Sequence, residues 1–382
     1  MSKDLPYWVA TSAIPGVGTA TFNYLLRHFK TLKKFWEAPA EKINKLKIDA
    51  KTREAILEFR QKVDPRVYLD TVYERGIKVV SVVDRDYPAN LRKISDAPPV
   101  LYYKGNIFNT SLRSSSLDKL GTVGLKGSLL PQDDLALAVV GARYCTAYGR
   151  QVTEKLVFDL VNAGLTIVSG LARGIDSIAH RTALAAGGRT IAVLGSGIDV
   201  IYPPENKNLS EQIIKNGAVV CEFPLGFAPK AANFPARNRI ISGLSLGVLV
   251  TEAAVDSGSL ITAGQAAEQG REVFAVPGPI NSKMSGGANN LIKEGVHPVT
   301  ESQDILQILN IEKRQKQAVT KNVVLPQDEI ETAILKALDS QTLHIDRIVA
   351  ETGIKIDKVT AALTVMEIRG LVKNYGSGIW GV

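Results

Sequence analysis

From Leu135 onward the chain alternates between two periodicities. Apolar runs occur at 135–140, 165–168, 190–194, 218–222, 246–251, 272–276 and 296–299. Between them, near 147–163, 176–186, 206–216, 236–243, 259–269 and 286–294, apolar residues recur at helical spacing. Strand and helix alternating at this interval predict a doubly wound, mostly parallel α/β sheet. Runs such as Ala136-Leu-Ala-Val-Val140 are apolar throughout, as expected where helices cover both faces of a sheet.

The flanks differ. Residues 5 to 63 read as short helices, with the turn Ile14-Pro-Gly-Val-Gly18 between the first two. That turn is helix-hairpin-helix-like or SAM-like, or simply a short glycine turn. A helix over 65–75 and strands over 77–83 and 99–103 lead into the sheet region. Residues 106–134 show no sustained period and read as a surface insertion, disordered by composition. A polar linker spans 311–326, and 327–382 reads as three helices and a hairpin, the order of a winged helix. The expected division is a basic helical domain over 1–63, a Rossmann-like domain over 64–310, the linker, and the winged helix.

Composition narrows the function. The 382 residues are 45% hydrophobic and carry a net charge of +8. Residues 1–63 hold twelve Lys/Arg and six Asp/Glu, an excess that suits a polyanionic partner or simply a solvated face. No apolar run reaches 18 residues, so no membrane contact is expected. The first residues lack a signal-peptide layout, and a cytoplasmic location is expected. Two cysteines, Cys145 and Cys221, and four scattered histidines offer neither a disulfide frame nor a zinc site. Gly195-Ser-Gly197 lacks the third glycine of a dinucleotide fingerprint, and neither a P-loop nor a nucleophile elbow occurs. No cofactor or metal is expected.

Ligands of open parallel sheets bind beyond the carboxyl ends of the strands, and four loops with phosphate-binding character fall there. Val140-Gly-Ala-Arg-Tyr144 pairs Gly141, which allows close approach, with Arg143, a bidentate donor; Tyr144 and Tyr148 could stack on bases. Ser169-Gly-Leu-Ala-Arg-Gly174 is a strand-to-helix loop whose amides should converge on an anion, with Arg173 in reach. Asp176 after it reads as a helix N-cap, and Asp176 with His180 as a structural pair. Phe234-Pro-Ala-Arg-Asn-Arg239 brings Arg237, Asn238 and Arg239 to a helix start, one arginine a strut and the other facing ligand. Ser257-Gly258-Ser259 opens another helix, and Lys207 adds a cation near the same rim.

These motifs, with Ile201-Tyr-Pro203 and Val276-Pro-Gly278, occur in the order found in the DNA-processing protein A (DprA/Smf) family, which the chain resembles over about 77–300. The resemblance implies an extended Rossmann-like domain that binds single-stranded DNA, forms a homodimer, protects incoming strands in natural transformation and helps load the RecA recombinase, without catalysis. It makes Gly141, Arg143, Ser169, Gly170, Arg173, Gly174 and Lys207 the DNA-contact candidates, and Arg237, Asn238, Arg239, Ser257, Gly258 and Ser259 the rim candidates. Ala142 departs from the family's usual Ser or Thr, and the 106–134 insertion is longer than usual. A nucleotide-hydrolase-like enzyme and an assembly scaffold without DNA contact are the alternatives.

Overall fold

The computed structural model describes residues 4–107, 135–311, 329–338, 342–368 and 371–381. The expected insertion, from 108 onward, and the expected linker, from 312, lie outside the described residues.

Six helices come first: α1 (Leu5–Ser12), α2 (Thr19–Phe29), α3 (Leu32–Glu37), α4 (Ala40–Asn44), α5 (Ala50–Lys62) and α6 (Pro65–Glu74). Their boundaries follow local chemistry. The Asp49 carboxylate caps α5 by accepting the Thr52 N–H, and Asp64 caps α6 by accepting the N–H groups of Arg66 and Val67, with Pro65 at the first helical position. Gly76, at φ 68°, ends α6 in a conformation that favours glycine.

The sheet is then built from β1 (Lys78–Ser81), α7 (Ala89–Arg92), β2 (Val100–Gly105), β3 (Ala136–Val140), α8 (Ala147–Asn162), β4 (Thr166–Ser169), α9 (Ile175–Ala185), β5 (Thr190–Val193), α10 (Lys207–Asn216), β6 (Gly217–Cys221), α11 (Asn233–Gly243), β7 (Gly247–Val250), α12 (Ser259–Glu268), β8 (Glu272–Ala275), α13 (Gly286–Lys293), β9 (His297–Pro298) and α14 (Ser302–Ile308). Strand order is β1-β2-β6-β5-β4-β3-β7-β8-β9. The edge pairs β1–β2 and β2–β6 are antiparallel and the other pairs are parallel. The chain steps from β3 through β4 and β5 to β6 in one direction, then returns to place β7 on the other side of β3. The carboxyl ends of β3 and β7 therefore form the switch point at which such folds hold ligands.

Both faces of β3 are buried. Ala136, Ala138 and Val140 join Ile240, Ile241 and Ala263 on one side; Leu137 and Val139 join Leu156, Leu160 and Ala179 on the other. The front helices are not the separate domain expected for 1–63. Trp8, Phe22, Leu25 and Phe35 share one apolar cluster with Val79, Tyr102, Ala192 and Cys221. Helices and sheet form a single compact unit, in which Leu5, Trp8 and Val9 of α1 and Leu69 and Val72 of α6 share their apolar cluster with Val79 of β1 and Tyr102 of β2.

The second unit is the expected winged helix: α15 (Glu329–Ala337), β10 (Leu343–His344), α16 (Ile345–Thr352), α17 (Ile356–Ile368), β11 (Lys373–Gly376) and β12 (Ile379–Gly381). β12 lies between β10 and β11. Ile334, Leu343, Ile348, Val359, Leu363, Met366 and Trp380 form its core. The two-residue β10 strand went unread in the sequence, being too short to show a period. Among the described residues no helix is long and apolar enough to cross a membrane, and no His, Cys, Asp and Glu side chains cluster as a metal site would require.

Candidate nucleic-acid interface

A cleft of about 770 Å³ opens at the β3/β7 switch point. The loop after β3 supplies Gly141, Arg143 and Tyr144; the loop after β7 supplies Asp256, Ser257, Gly258 and Ser259; α11 supplies Phe234, Arg237 and Asn238; Tyr202 closes one side.

The loops are tied to each other by backbone bonds. Ala142 N–H donates to the Glu252 carbonyl at 2.7 Å, and Ile175 N–H donates to the Ala142 carbonyl at 3.1 Å. Gly141 and Gly174 allow this approach. A Cβ on Gly141 would lie 2.6 Å from Ile175 Cγ1, and one on Gly174, at φ 72°, would lie 2.2 Å from the Ala142 carbonyl oxygen. The buried Glu252 side chain accepts the Thr146 N–H at 2.8 Å and the Thr146 hydroxyl at 2.6 Å, fixing the start of α8. Sequence reading passed over Glu252 because a single acidic residue after a strand carries no pattern.

The loop over 169–174 holds an anion, but the anion is internal. The Asp176 carboxylate accepts the N–H groups of Gly170 at 3.2 Å and Ala172 at 3.3 Å. Asp176 is therefore not the N-cap expected for α9; Gly174 occupies that position, and Asp176 reaches back from the first turn. Burial raises its pKa, against the pull of Arg237 and the loop amides. The remaining side chains of this loop follow suit. Ser169 is buried and donates to the Val139 carbonyl at 2.7 Å. Gly170 lies under Arg237, whose guanidinium would be 2.5 Å from a Cβ there. As DNA contacts, Ser169 and Gly170 are corrected to internal braces, because a loop amide bonded to a nearby carboxylate has no free donor for phosphate.

Both arginines of α11 are struts, where one was expected to face ligand. Arg237 is buried on the cleft floor and donates to the carbonyls of Gly170 (2.6 Å) and Val193 and to Asn238 Oδ1 (3.1 Å). Burial pushes its pKa down to about 10. Arg239 points to the other side of the helix. It pairs with Glu222 at 2.7 Å and Asp96 at 2.9 Å, and donates to the Thr19 hydroxyl at 3.3 Å. It does not line the cleft, and its expected rim role is withdrawn. The wheel positions of Arg237 and Arg239 showed that they diverge; the carboxylates that capture the second come from segments distant in sequence.

The side chains left open to solvent are different ones. Arg143 is exposed and, among the described residues, has no carboxylate partner; its Cζ sits 5.5 Å from the Phe234 ring centroid. Tyr144 is 78% exposed. Tyr202 lies beside Phe234, with centroids 5.8 Å apart. Gly195 makes room for Phe234, since a Cβ there would be 2.9 Å from the ring. Phe234 was not among the expected site residues, although its place at the head of the Phe-Pro-Ala-Arg-Asn-Arg motif was the available signal. Asn238 and the Ser257–Gly258–Ser259 turn line the opposite wall, with the two serine hydroxyls 2.8 Å apart. Arg173 and Lys207 are exposed but outside the cleft lining, and Arg173 pairs with the exposed Glu205. Such surface pairs exchange readily.

Residues 78–310 match the family model for DNA recombination-mediator protein A, and residues 321–376 match that for the DprA winged helix domain. The chain belongs to the DprA/Smf family. It is 35% identical to protein Smf of Synechocystis sp., covering 98% of this chain and 97% of that one. The X-ray structure of DNA processing protein A from Streptococcus pneumoniae is 36% identical, with a TM-score of 0.64, and covers 80% of this chain and 98% of that one. A solved structure of DNA processing protein A from Helicobacter pylori, described by its single-stranded DNA binding mode, is 29% identical with a TM-score of 0.50, covering 63% of this chain and 97% of that one. Family membership agrees with the mostly parallel sheet and the winged helix seen here.

Proposed function

We propose that the switch-point cleft binds single-stranded DNA without strong sequence preference, and that the chain protects such strands and delivers them to a RecA-type recombinase as a homodimer. The observation that carries this reading is the grouping of Arg143, an exposed guanidinium with no carboxylate partner among the described residues, with the rings of Tyr144, Phe234 and Tyr202 around one cleft. A phosphate contact beside stacking surfaces is the requirement for a flexible polynucleotide whose bases are unpaired. The Helicobacter pylori relative, described as binding single-stranded DNA, supports it. The contact set is Gly141, Arg143, Asn238, Ser257, Gly258 and Ser259, with Arg173 and Lys207 as outlying cations.

Binding rather than hydrolysis is favoured by the carboxyls near the floor. Asp176 is held by loop amides and Glu252 by Thr146, so neither is placed to activate water, which leaves Asp256 as the exposed carboxylate of the lining. Fluorescence anisotropy with labelled oligo-dT tests the reading. The parent should bind single strands over duplex, with affinity falling steeply as salt rises. Arg143→Ala should weaken binding about tenfold and reduce the salt slope by about one. Equal affinity of Arg143→Ala and parent would remove the proposed site.

A further inference from the structure

The front helices carry a charge that the cleft does not account for. Residues 19–51 contain Arg27, Lys30, Lys33, Lys34, Lys42, Lys45, Lys47 and Lys51 against Glu37, Glu41 and Asp49. All eight basic residues are exposed, and only Lys33 has a carboxylate partner among the described residues, Glu37 at 3.7 Å. The neighbouring Arg53 and Arg60 are different in kind. Their guanidiniums bond the carbonyls of Leu46 and Ile48, and of Trp36 and Ala38, so they serve the fold.

The tertiary structure gathers part of this charge on one surface. The Tyr24 hydroxyl accepts the Lys47 N–H at 3.2 Å, which sets α2 alongside the Lys45–Lys47 segment, and Arg27 and Lys30 follow at the end of α2. Gly16, in the exposed turn before α2, packs on Thr52, next to Lys51 at the start of α5. The Asp49 carboxylate, the acidic group within this surface, is occupied by the Thr52 N–H.

The α2 helix and the cleft are linked through α11. Arg239 bonds Thr19, the first residue of α2, and belongs to the same helix as Phe234, which lines the cleft. Lys230 adds an exposed cation between the cleft residues Pro229 and Ala231. The winged helix, where a DNA contact would first be sought by shape, has the opposite balance: residues 329–382 hold six Lys/Arg and seven Asp/Glu. Among the described residues the exposed charges of α17 are one cation, Lys358, and two carboxylates, Asp357 and Glu367, a weak balance for phosphate contact.

We infer that the α2–α5 surface bearing Arg27, Lys30, Lys45, Lys47 and Lys51 is a second phosphate-contact surface, which holds the single strand as it leaves the cleft. The inference rests on the reading of the cleft as a single-strand site. Charge complementarity commits it to a polyanion, and the link through α11 to the cleft selects the same strand over a separate duplex.

The test uses the full chain and the variant Arg27→Gln/Lys45→Gln/Lys47→Gln/Lys51→Gln, with labelled oligo-dT of about six and about thirty nucleotides, the shorter within one cleft's reach. The variant should melt at the parent's temperature and bind the short strand as the parent does. It should bind the long strand about tenfold more weakly at low salt, with a flatter dependence of log affinity on log salt. Equal affinity of parent and variant for the long strand overturns the inference, whether or not the short strand binds. A loss confined to duplex DNA overturns it as well. Failure of the short strand to bind the parent counts against the cleft, and the long-strand comparison still decides the surface.

Discussion

Arg237 Nη1 lies 2.6 Å from the Gly170 carbonyl oxygen and spans β4 and α11 beneath the cleft. The pair explains both residues. The glycine is needed because the guanidinium lies flat against it, and the arginine is needed because the Gly170 and Val193 carbonyls at the strand ends would otherwise lack a donor. Arg237→Met should therefore lower stability by about 2–4 kcal/mol, the cost of buried carbonyls left unpaired. Urea denaturation checks this, and a midpoint matching the parent would contradict the strut assignment.

Gly174 is required for two independent reasons, its φ of 72° and the Ala142 carbonyl oxygen 2.2 Å from its missing Cβ. Gly174→Ala should cost more than about 2 kcal/mol and loosen the loop bearing Arg143. Gly258, also at a cleft loop but with φ −62° and open space around it, should accept alanine with little change in thermal midpoint, which makes it the matched control.

His180 is fully buried, and its Nδ1 meets the Thr190 hydroxyl at 2.7 Å while that hydroxyl donates to the Ile167 carbonyl. Nδ1 must then carry the proton. Burial, with help from Arg237 and Arg181, pushes the pKa down to about 3. The unfolded chain takes up this proton near 6.5 and the folded chain does not, so stability should fall as pH drops from about 6.5 toward 3, by at most about 1.4 kcal/mol per pH unit. Asp176 works the other way at the acid end, since its raised folded pKa favours the folded state as it protonates. Denaturant midpoints between pH 7 and 4 should slope less in His180→Gln than in the parent; parallel slopes would refute the assignment.

Arg239 and Glu222 form a two-bond pair, at 2.8 and 2.7 Å, shielded from solvent. Burial raises the Glu222 pKa while Arg239 opposes the rise. Glu222→Leu alone should cost about 1.5–3 kcal/mol, the range for lost hydrogen bonds to a charged group, because Asp96 at 2.9 Å keeps the Arg239 guanidinium paired, and adding Arg239→Met should recover part of that loss. A double-mutant cycle that sums without coupling would show the pair to be incidental.

Tyr144 is 78% exposed and, among the described residues, is paired with no other aromatic ring, the state of a ring awaiting one. Tyr144→Ala should weaken oligo-dT binding by about 1–3 kcal/mol, the range for one lost base stack, and Tyr144→Phe should keep the parent's affinity. An equal loss in Tyr144→Phe would assign the effect to the hydroxyl instead.

The strands and helices from 135 to 299 were legible in the sequence within a residue or two, apart from the start of α11, three residues earlier than its period shows, and so was the winged helix, because burial on both faces of a sheet or one face of a helix writes its period directly into the chain; the seven-residue α14 went unread. The switch-point location of the cleft followed from strand order, a tertiary fact. What only the tertiary structure decided was the state of each polar side chain. Ser169, Asp176, Arg237 and Arg239 carry the residue types of a phosphate site, yet the fold supplies each with a partner from a distant segment: Val139, the loop amides, the Gly170 and Val193 carbonyls, and Glu222. Arg143 and Tyr144, from the same kind of motif, have no hydrogen-bond or ion-pair partner for their side chains among the described residues. A side chain's chemistry is local to the sequence, but whether it remains available to a ligand depends on what long-range packing brings within about 3 Å of it.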